Sequence, residues 1–306
     1  MTGLSRRRFL ALAAAAVADL HVAKSGAARH DRLRVDGGAK TKDGFKTESV
    51  REYRGEAIPE DVLRLEYASG VDGARDWALL LPRDKCETWA VMIHGHGSNG
   101  DQLYTHPRIR PIWFPAIQKH QVGILTPNLR DSAWMSPPAA ADLRCLLNYV
   151  REQHGAKRFV LASGSMGGTS NLIYACLHPE DAAAVVAVCP ATDLPSYVKW
   201  CRRDDANAPK GIADAIEQAY GGPPEKNPKV YRAHSAVRNA RKLTMPVYVA
   251  HGTADDVIPV SQPRRLAAAM GDAVTFVYVE VPDGGHDAPL GSLGAGLDWV
   301  MRKVTA

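Results

Sequence analysis

An α/β fold is predicted, with a mostly parallel central sheet, helices on both faces and a small insertion over the sheet. Three observations predict it. Short apolar runs recur between segments of helical spacing, as happens when crossover helices join parallel strands. Most of these runs are apolar throughout, which suits strands covered on both faces. The glycine, serine, histidine and aspartate residues able to do chemistry cluster just past the ends of the runs, where the loops of such a sheet share one crevice. At 306 residues, 45% hydrophobic and 23% charged, the chain has an ordinary globular composition and can bury a substantial core.

In chain order, residues 61–67 alternate as an edge strand and 76–81 form a second, stopped by Pro82. The turn-rich segment between them predicts a hairpin. Residues 88–93 read as a buried strand that runs into the glycine-rich loop 94–100. A helix over 112–120 and a strand over 122–126 follow, then a loop carrying Asn128, Arg130, Trp134 and Met135. After Pro137 and Pro138, residues 139–153 place Leu143, Leu146, Leu147 and Val150 on one helical face. A strand over 159–162, a helix over 169–178 and a strand over 182–189 come next. Residues 191–243 break the rhythm, with a short helix near 211–220, and read as an insertion within a domain spanning 57–306. Strands over 246–250 and 274–280, with helices over 262–270 and 293–303, complete it.

Residues 1–28 have the layout of an export signal. Arg6, Arg7 and Arg8 precede Phe9, Leu10 and an alanine-rich run that is too short to span a bilayer comfortably. The paired arginines before Phe9 and Leu10 resemble a bacterial twin-arginine signal. The mature protein is therefore expected in the periplasm or outside the cell, after cleavage following Ala18 or Ala27. Residues 29–56 are charged and aperiodic and read as a flexible lead-in. Without the leader arginines the formal charge of +5 falls to about +2, which gives no argument for nucleic acid or an anionic membrane. The five cysteines show neither metal-ligand spacing nor a disulfide framework. Neither cofactor nor metal is expected. His94 and His96 form a His-x-His pair with no third ligand in the motif.

The chain is organised around Ser165, which lies between the apolar run ending at Ala162 and the helical segment from Thr169. A serine on a tight strand-to-helix turn holds its hydroxyl clear of the backbone, and the positions two before and two after it must be small. Here they are Ser163 and Gly167, close to Gly-x-Ser-x-Gly with a serine at the first glycine. A phosphate-cradling loop is the alternative reading of such a turn.

Taken with Asp255 and His286, which follow in that order, residues from about 62 to the C-terminus resemble an α/β hydrolase. Within that superfamily the resemblance is closest to the catalytic domain of prolyl oligopeptidases and related single-domain esterases. It is carried by Tyr220 through Pro228, by Tyr231 through Ala236, and by Pro246 through Val260. The resemblance implies Ser165 as nucleophile, His286 as base and Asp255 as the acid that orients it, with Asp256 its near rival. It also implies an oxyanion loop at residues 94–97, whose His96 N–H would pair with that of Met166. Trp134, Met135, Tyr197 and Trp200 are expected to line the substrate pocket.

The function these residues point to is hydrolysis of a carboxylic ester, on a small molecule or linked to carbohydrate, through an acyl-enzyme on Ser165. A peptidase is the second reading, since prolyl oligopeptidases share the resemblance. Only about forty residues separate the leader from the first strand, where those peptidases carry a propeller domain, which tilts the expectation toward esters. A binding protein on a degenerate hydrolase fold is the non-enzymatic alternative. Oligomeric state is not legible.

Overall fold

The structure is a computed structural model that describes residues 44–203 and 211–304. The export signal at 1–28 and residues 29–43 of the lead-in lie outside the described residues. Nine strands make one sheet: β1 (Lys46–Glu52), β2 (Leu63–Ala68), β3 (Arg75–Leu81), β4 (Thr88–Val91), β5 (Gly123–Pro127), β6 (Arg158–Gly164), β7 (Ala182–Val188), β8 (Val247–Gly252) and β9 (Phe276–Val281). Their spatial order is β1-β2-β3-β5-β4-β6-β7-β8-β9. Pairing is antiparallel from β1 to β5 and parallel from there on.

The helices are α1 (Gln102–Thr105), α2 (Arg110–Gln118), α3 (Pro137–His154), α4 (Met166–Leu177), α5 (Leu194–Cys201), α6 (Gly211–Ala219), α7 (Pro228–Ala233), α8 (Ser261–Met270) and α9 (Ser292–Val304). They cover the sheet on both sides, and strand pleating explains how. Successive residues point to opposite faces, so Phe159 and Leu161 of β6 pack with Leu146, Leu172 and Leu266 from α3, α4 and α8. Val160 and Ala162 pack on the other face with Trp113, Ile117, Leu297 and Val300 from α2 and α9. Both faces are apolar, and for that reason the parallel strands read as unbroken apolar runs.

Two departures from the sequence reading have local causes. Residues 46–52, inside the stretch read as a flexible lead-in, form strand β1 and pair with β2. A bulge between Thr47 and Ser49 shifts the register, so the buried side chains are Thr47 and Val50, three apart, and period-two alternation is lost. Helix α4 begins at Met166, three residues before the expected start, which brings its first turn directly against Ser165. The insertion between β7 and β8 holds α5, α6, α7 and a 3-10 segment, Ala236–Lys242. Among the described residues no helix is long and apolar enough to cross a membrane.

Candidate active site

Strand β6 ends at Gly164 and α4 begins at Met166, which leaves Ser165 on the turn between them at φ 55° and ψ −126°. That left-handed φ is costly for a residue with a Cβ. The turn is held by Ser165 N–H donating to the Val188 carbonyl (2.7 Å) and Thr169 N–H donating back to the Ser165 carbonyl (2.9 Å). Gly167 is dictated by space: a Cβ there would lie 2.0 Å from the Ile93 carbonyl oxygen. Ser163 is fully buried, and its hydroxyl accepts from the Ile93 N–H (2.8 Å) and donates to the side-chain oxygen of Asn171 (2.9 Å). The serine at the usual first glycine thus ties the end of β4 to the elbow.

His286 follows β9 and Asp255 follows β8. The two loops meet because Gly252 lets the backbone carbonyls of Gly284 and Gly285 approach where a Cβ would lie 2.2 and 2.5 Å away. His286 Nε2 is 2.9 Å from Ser165 Oγ, and Nδ1 is 2.7 Å from Asp255 Oδ2. The Asp255 Oδ1 accepts from the N–H groups of Val257 (2.9 Å) and Ile258 (2.8 Å). His251 Nε2 stands 3.1 Å from the other oxygen. Burial alone would raise the Asp255 pKa, but hydrogen bonds from His251 and His286 outweigh it and hold the carboxyl well below its usual range. Asp256, the rival, is exposed, and the carboxylate on His286 is that of Asp255.

The loop after β4 presents three consecutive N–H groups. That of Gly95 donates to Gln102 Oε1 (2.9 Å) and that of Gly97 to Ser132 Oγ (2.9 Å). Between them, the His96 N–H is left without a partner among the described residues. The His96 ring accepts from the Trp134 indole N–H at Nδ1 (3.2 Å). Burial, then the neighbouring His94, lowers its pKa and favours this neutral state. The Met166 N–H belongs to the first turn of α4, where helix donors have no intrahelical acceptor. Both ring nitrogens of His94 sit against backbone carbonyls, Gly95 (2.8 Å) and Asn128 (2.9 Å). Cys189, Asp255 and His286 come close enough to share an ion. Cys189, however, donates its thiol to the His286 carbonyl (2.8 Å), and burial pushes its pKa up.

A cavity of about 240 Å³ opens above Ser165, walled by His106, Arg108, Ile109, Trp113, Val257 and Leu290 among others. The four aromatic and methionine residues expected there do not line it. Trp134 is 1% exposed and its indole braces His96. Tyr197 is fully buried, donates to the Val257 carbonyl (3.1 Å) and stacks on Trp200 at 6.0 Å between centroids. Met135 is buried, and its carbonyl receives the Tyr220 hydroxyl (3.2 Å). The walls of the cavity come from the segment between α1 and α2, from Trp113 of α2 and Ile212 of α6, and from the loops after β8 and after His286.

A family model described as the alpha/beta hydrolase fold matches residues 90–212. No curated protein matches the sequence. Among solved structures, the chain is similar to a puromycin-hydrolyzing peptidase from Mycobacterium tuberculosis (15% identity, TM-score 0.56, covering 83% of this chain and 44% of that one). It is likewise similar to a Pyrococcus furiosus esterase (14%, TM-score 0.57, 83% and 96%). A prolyl endopeptidase gives 17% and a TM-score of 0.59, covering 81% of this chain and 39% of that one. The chain thus spans less than half the length of either peptidase and nearly all of the esterase. At these identities the likeness is one of fold. The chain has the α/β-hydrolase fold, with Ser165, Asp255 and His286 joined beyond the carboxyl ends of its parallel strands.

Proposed function

We propose that this protein is a serine hydrolase that cleaves carboxylic esters through an acyl-enzyme on Ser165. The observation that carries the reading is the unbroken line from Ser165 Oγ through His286 to Asp255, at 2.9 and 2.7 Å. Ser165 attacks the ester carbonyl while His286 Nε2 takes its proton. The tetrahedral oxyanion is received by the N–H groups of His96 and Met166, each worth about 2.7–4 kcal/mol to the transition state. His286 then gives the proton to the departing alcohol as the C–O bond breaks. Water, deprotonated by the same nitrogen, releases the acid and restores Ser165. Asp255 keeps the His286 proton on Nδ1 and stabilises the imidazolium. No cofactor enters these steps.

The substrate class we favour is a small-molecule or carbohydrate-linked ester, acted on after export by the leader at 1–28. The likeness to puromycin-hydrolyzing and prolyl peptidases favours a second reading, peptide cleavage. Hydrolysis of p-nitrophenyl acetate, butyrate and octanoate, beside a panel of peptides with proline or alanine at the cleavage site, separates the two. Ser165→Ala is expected to lower ester turnover by about 10⁴-fold or more. Turnover by the variant at the wild-type rate overturns the assignment, and activity confined to the peptides reverses the order of the two readings.

A further inference from the structure

The walls of the cavity above Ser165 are of two kinds, exposed polar groups and buried apolar ones. Resting on the reading of Ser165 as nucleophile, we infer that Trp113 closes the acyl end, so that the preferred substrates are small acyl groups carried on bulky, polar alcohols. His286 must hand its proton to the leaving oxygen, so the alcohol lies on the His286 side. Exposed polar groups stand there: Asp287 follows His286, and Arg108, also exposed, pairs with Asp287. His106, half-buried, stands beside Arg108. A large alcohol, such as a sugar within a longer chain, can extend past these groups into water.

The acyl group is directed to the other end, where Ile109, Trp113, Gly164, Val188 and Cys189 are buried. Trp113 is the floor. Its indole N–H is anchored to the Leu290 carbonyl (2.9 Å). The far edge of its ring lies against Gly164: a Cβ there would sit 2.9 Å from Cη2 and 3.2 Å from Cζ2. A ring anchored at one edge and abutting backbone at the other cannot swing away without breaking its hydrogen bond. Behind it lies a second void of about 10 Å³, and Gln102, Ile109 and Trp113 line both spaces. These three side chains are therefore a partition, and the indole is its largest part.

The test is a pair of ester series read with wild-type protein, Trp113→Phe and Trp113→Ala, with Trp113→Leu in reserve if the alanine variant fails to fold. In the acyl series, p-nitrophenyl acetate to octanoate, wild type is expected to lose about tenfold or more in kcat/KM from butyrate to octanoate. Trp113→Ala is expected to raise the octanoate-to-acetate ratio at least tenfold, with Trp113→Phe in between. In the alcohol series, an acetylated oligosaccharide and p-nitrophenyl acetate are expected to stay within a few-fold in all three proteins. Alkyl fluorophosphonates of short and long chain give the same reading from Ser165 labelling, without any ester. A ratio that stays within twofold in folded Trp113→Ala overturns the inference while Ser165 labelling stands. Wild type that takes neither label nor ester overturns the nucleophile and the pocket together.

Discussion

Two of the stretches near the site where the backbone enters the left-handed region at non-glycine residues are held by different means. The elbow has one such residue, Ser165, and backbone groups fix it: its N–H donates to the Val188 carbonyl, its carbonyl accepts from the Thr169 N–H, and Gly167 leaves no room for a Cβ against Ile93. The loop between β5 and α3 has five within seven residues: Leu129, Arg130, Asp131, Trp134 and Met135. Each costs about 1 kcal/mol or more and persists only because distant groups impose it. Asp76 accepts from the Arg130 N–H (2.6 Å), and the Arg130 guanidinium grips Asp72 (2.8 and 2.9 Å) and Asp142 (2.7 Å). The Tyr220 hydroxyl donates to the Trp134 carbonyl (2.8 Å). Backbone contacts present the Ser165 hydroxyl, and side-chain contacts bring Ser132 and Trp134 to the loop that carries the His96 N–H.

If that contrast holds, the largest effect belongs to the elbow. In Gly167→Ala the new methyl meets the Ile93 carbonyl, whose own N–H is tied to Ser163. Either the elbow or the end of β4 must move by about 1 Å, a displacement that can cost 10²-fold in rate. Ester turnover and fluorophosphonate labelling are both expected to fall at least about 100-fold in protein that retains wild-type circular dichroism. Activity within threefold of wild type would mean that the elbow is not space-limited.

The loop is expected to respond less, and in stability as much as in rate. Arg130→Met leaves Asp142, 1% exposed, with Ser69 as its remaining hydroxyl donor and releases Asp72. Removing one partner of a buried pair costs about 3–5 kcal/mol. Arg130 is partly open to solvent, so a loss of about 2 kcal/mol and roughly tenfold in kcat is expected, read by urea denaturation and steady-state rates. The Arg130 guanidinium also holds the Asp72 carboxyl down to about 2. A folded pKa below the unfolded one stabilises above the unfolded value and is lost as pH falls toward 2. The gap between variant and wild type should therefore narrow as pH falls from 5 toward 2. An unchanged denaturation midpoint at neutral pH would separate the loop from the ion pairs that surround it.

The same contrast explains what the sequence could tell. Strands β4 to β8 are legible because both faces are buried and the runs are apolar, and the elbow because its pattern of small residues falls within five positions, 163–167. Ser165, Asp255 and His286 could be picked out because each closes a strand-to-loop transition, and the structure brings the three together. Strand β1 was not legible, since its bulge breaks the alternation on which the reading depends. Trp134 is buried and lies outside the cavity lining, where the sequence suggests a wall, for a related reason. An aromatic in a loop near the crevice suggests a pocket wall, whereas its buried position follows from Asp72, Asp76 and Asp142, whose link to Arg130 no local pattern records. The walls supplied by Arg108, Ile109 and Trp113 likewise depend on where α2 lands on the sheet.

The smallest expected effect tests that revised role. Trp134 touches the site through one bond, from its indole N–H to Nδ1 of His96. Trp134→Phe keeps most of the buried ring and its packing against Tyr197 at 5.6 Å while deleting that donor. A hydrogen bond of this kind contributes about 0.5–1.5 kcal/mol. What it restrains is the tilt of His96, whose N–H, in the mechanism proposed above, meets an oxyanion that exists only in the transition state. Loss of such a restraint lowers kcat and leaves KM unchanged, so a two- to fivefold drop in kcat at constant KM is expected across the whole p-nitrophenyl series. A pocket wall would behave differently: KM would rise, and more for long acyl chains than for acetate. A chain-length-dependent KM in Trp134→Phe would restore Trp134 to the pocket and remove the distinction between a loop that touches substrate and one that positions the group that does.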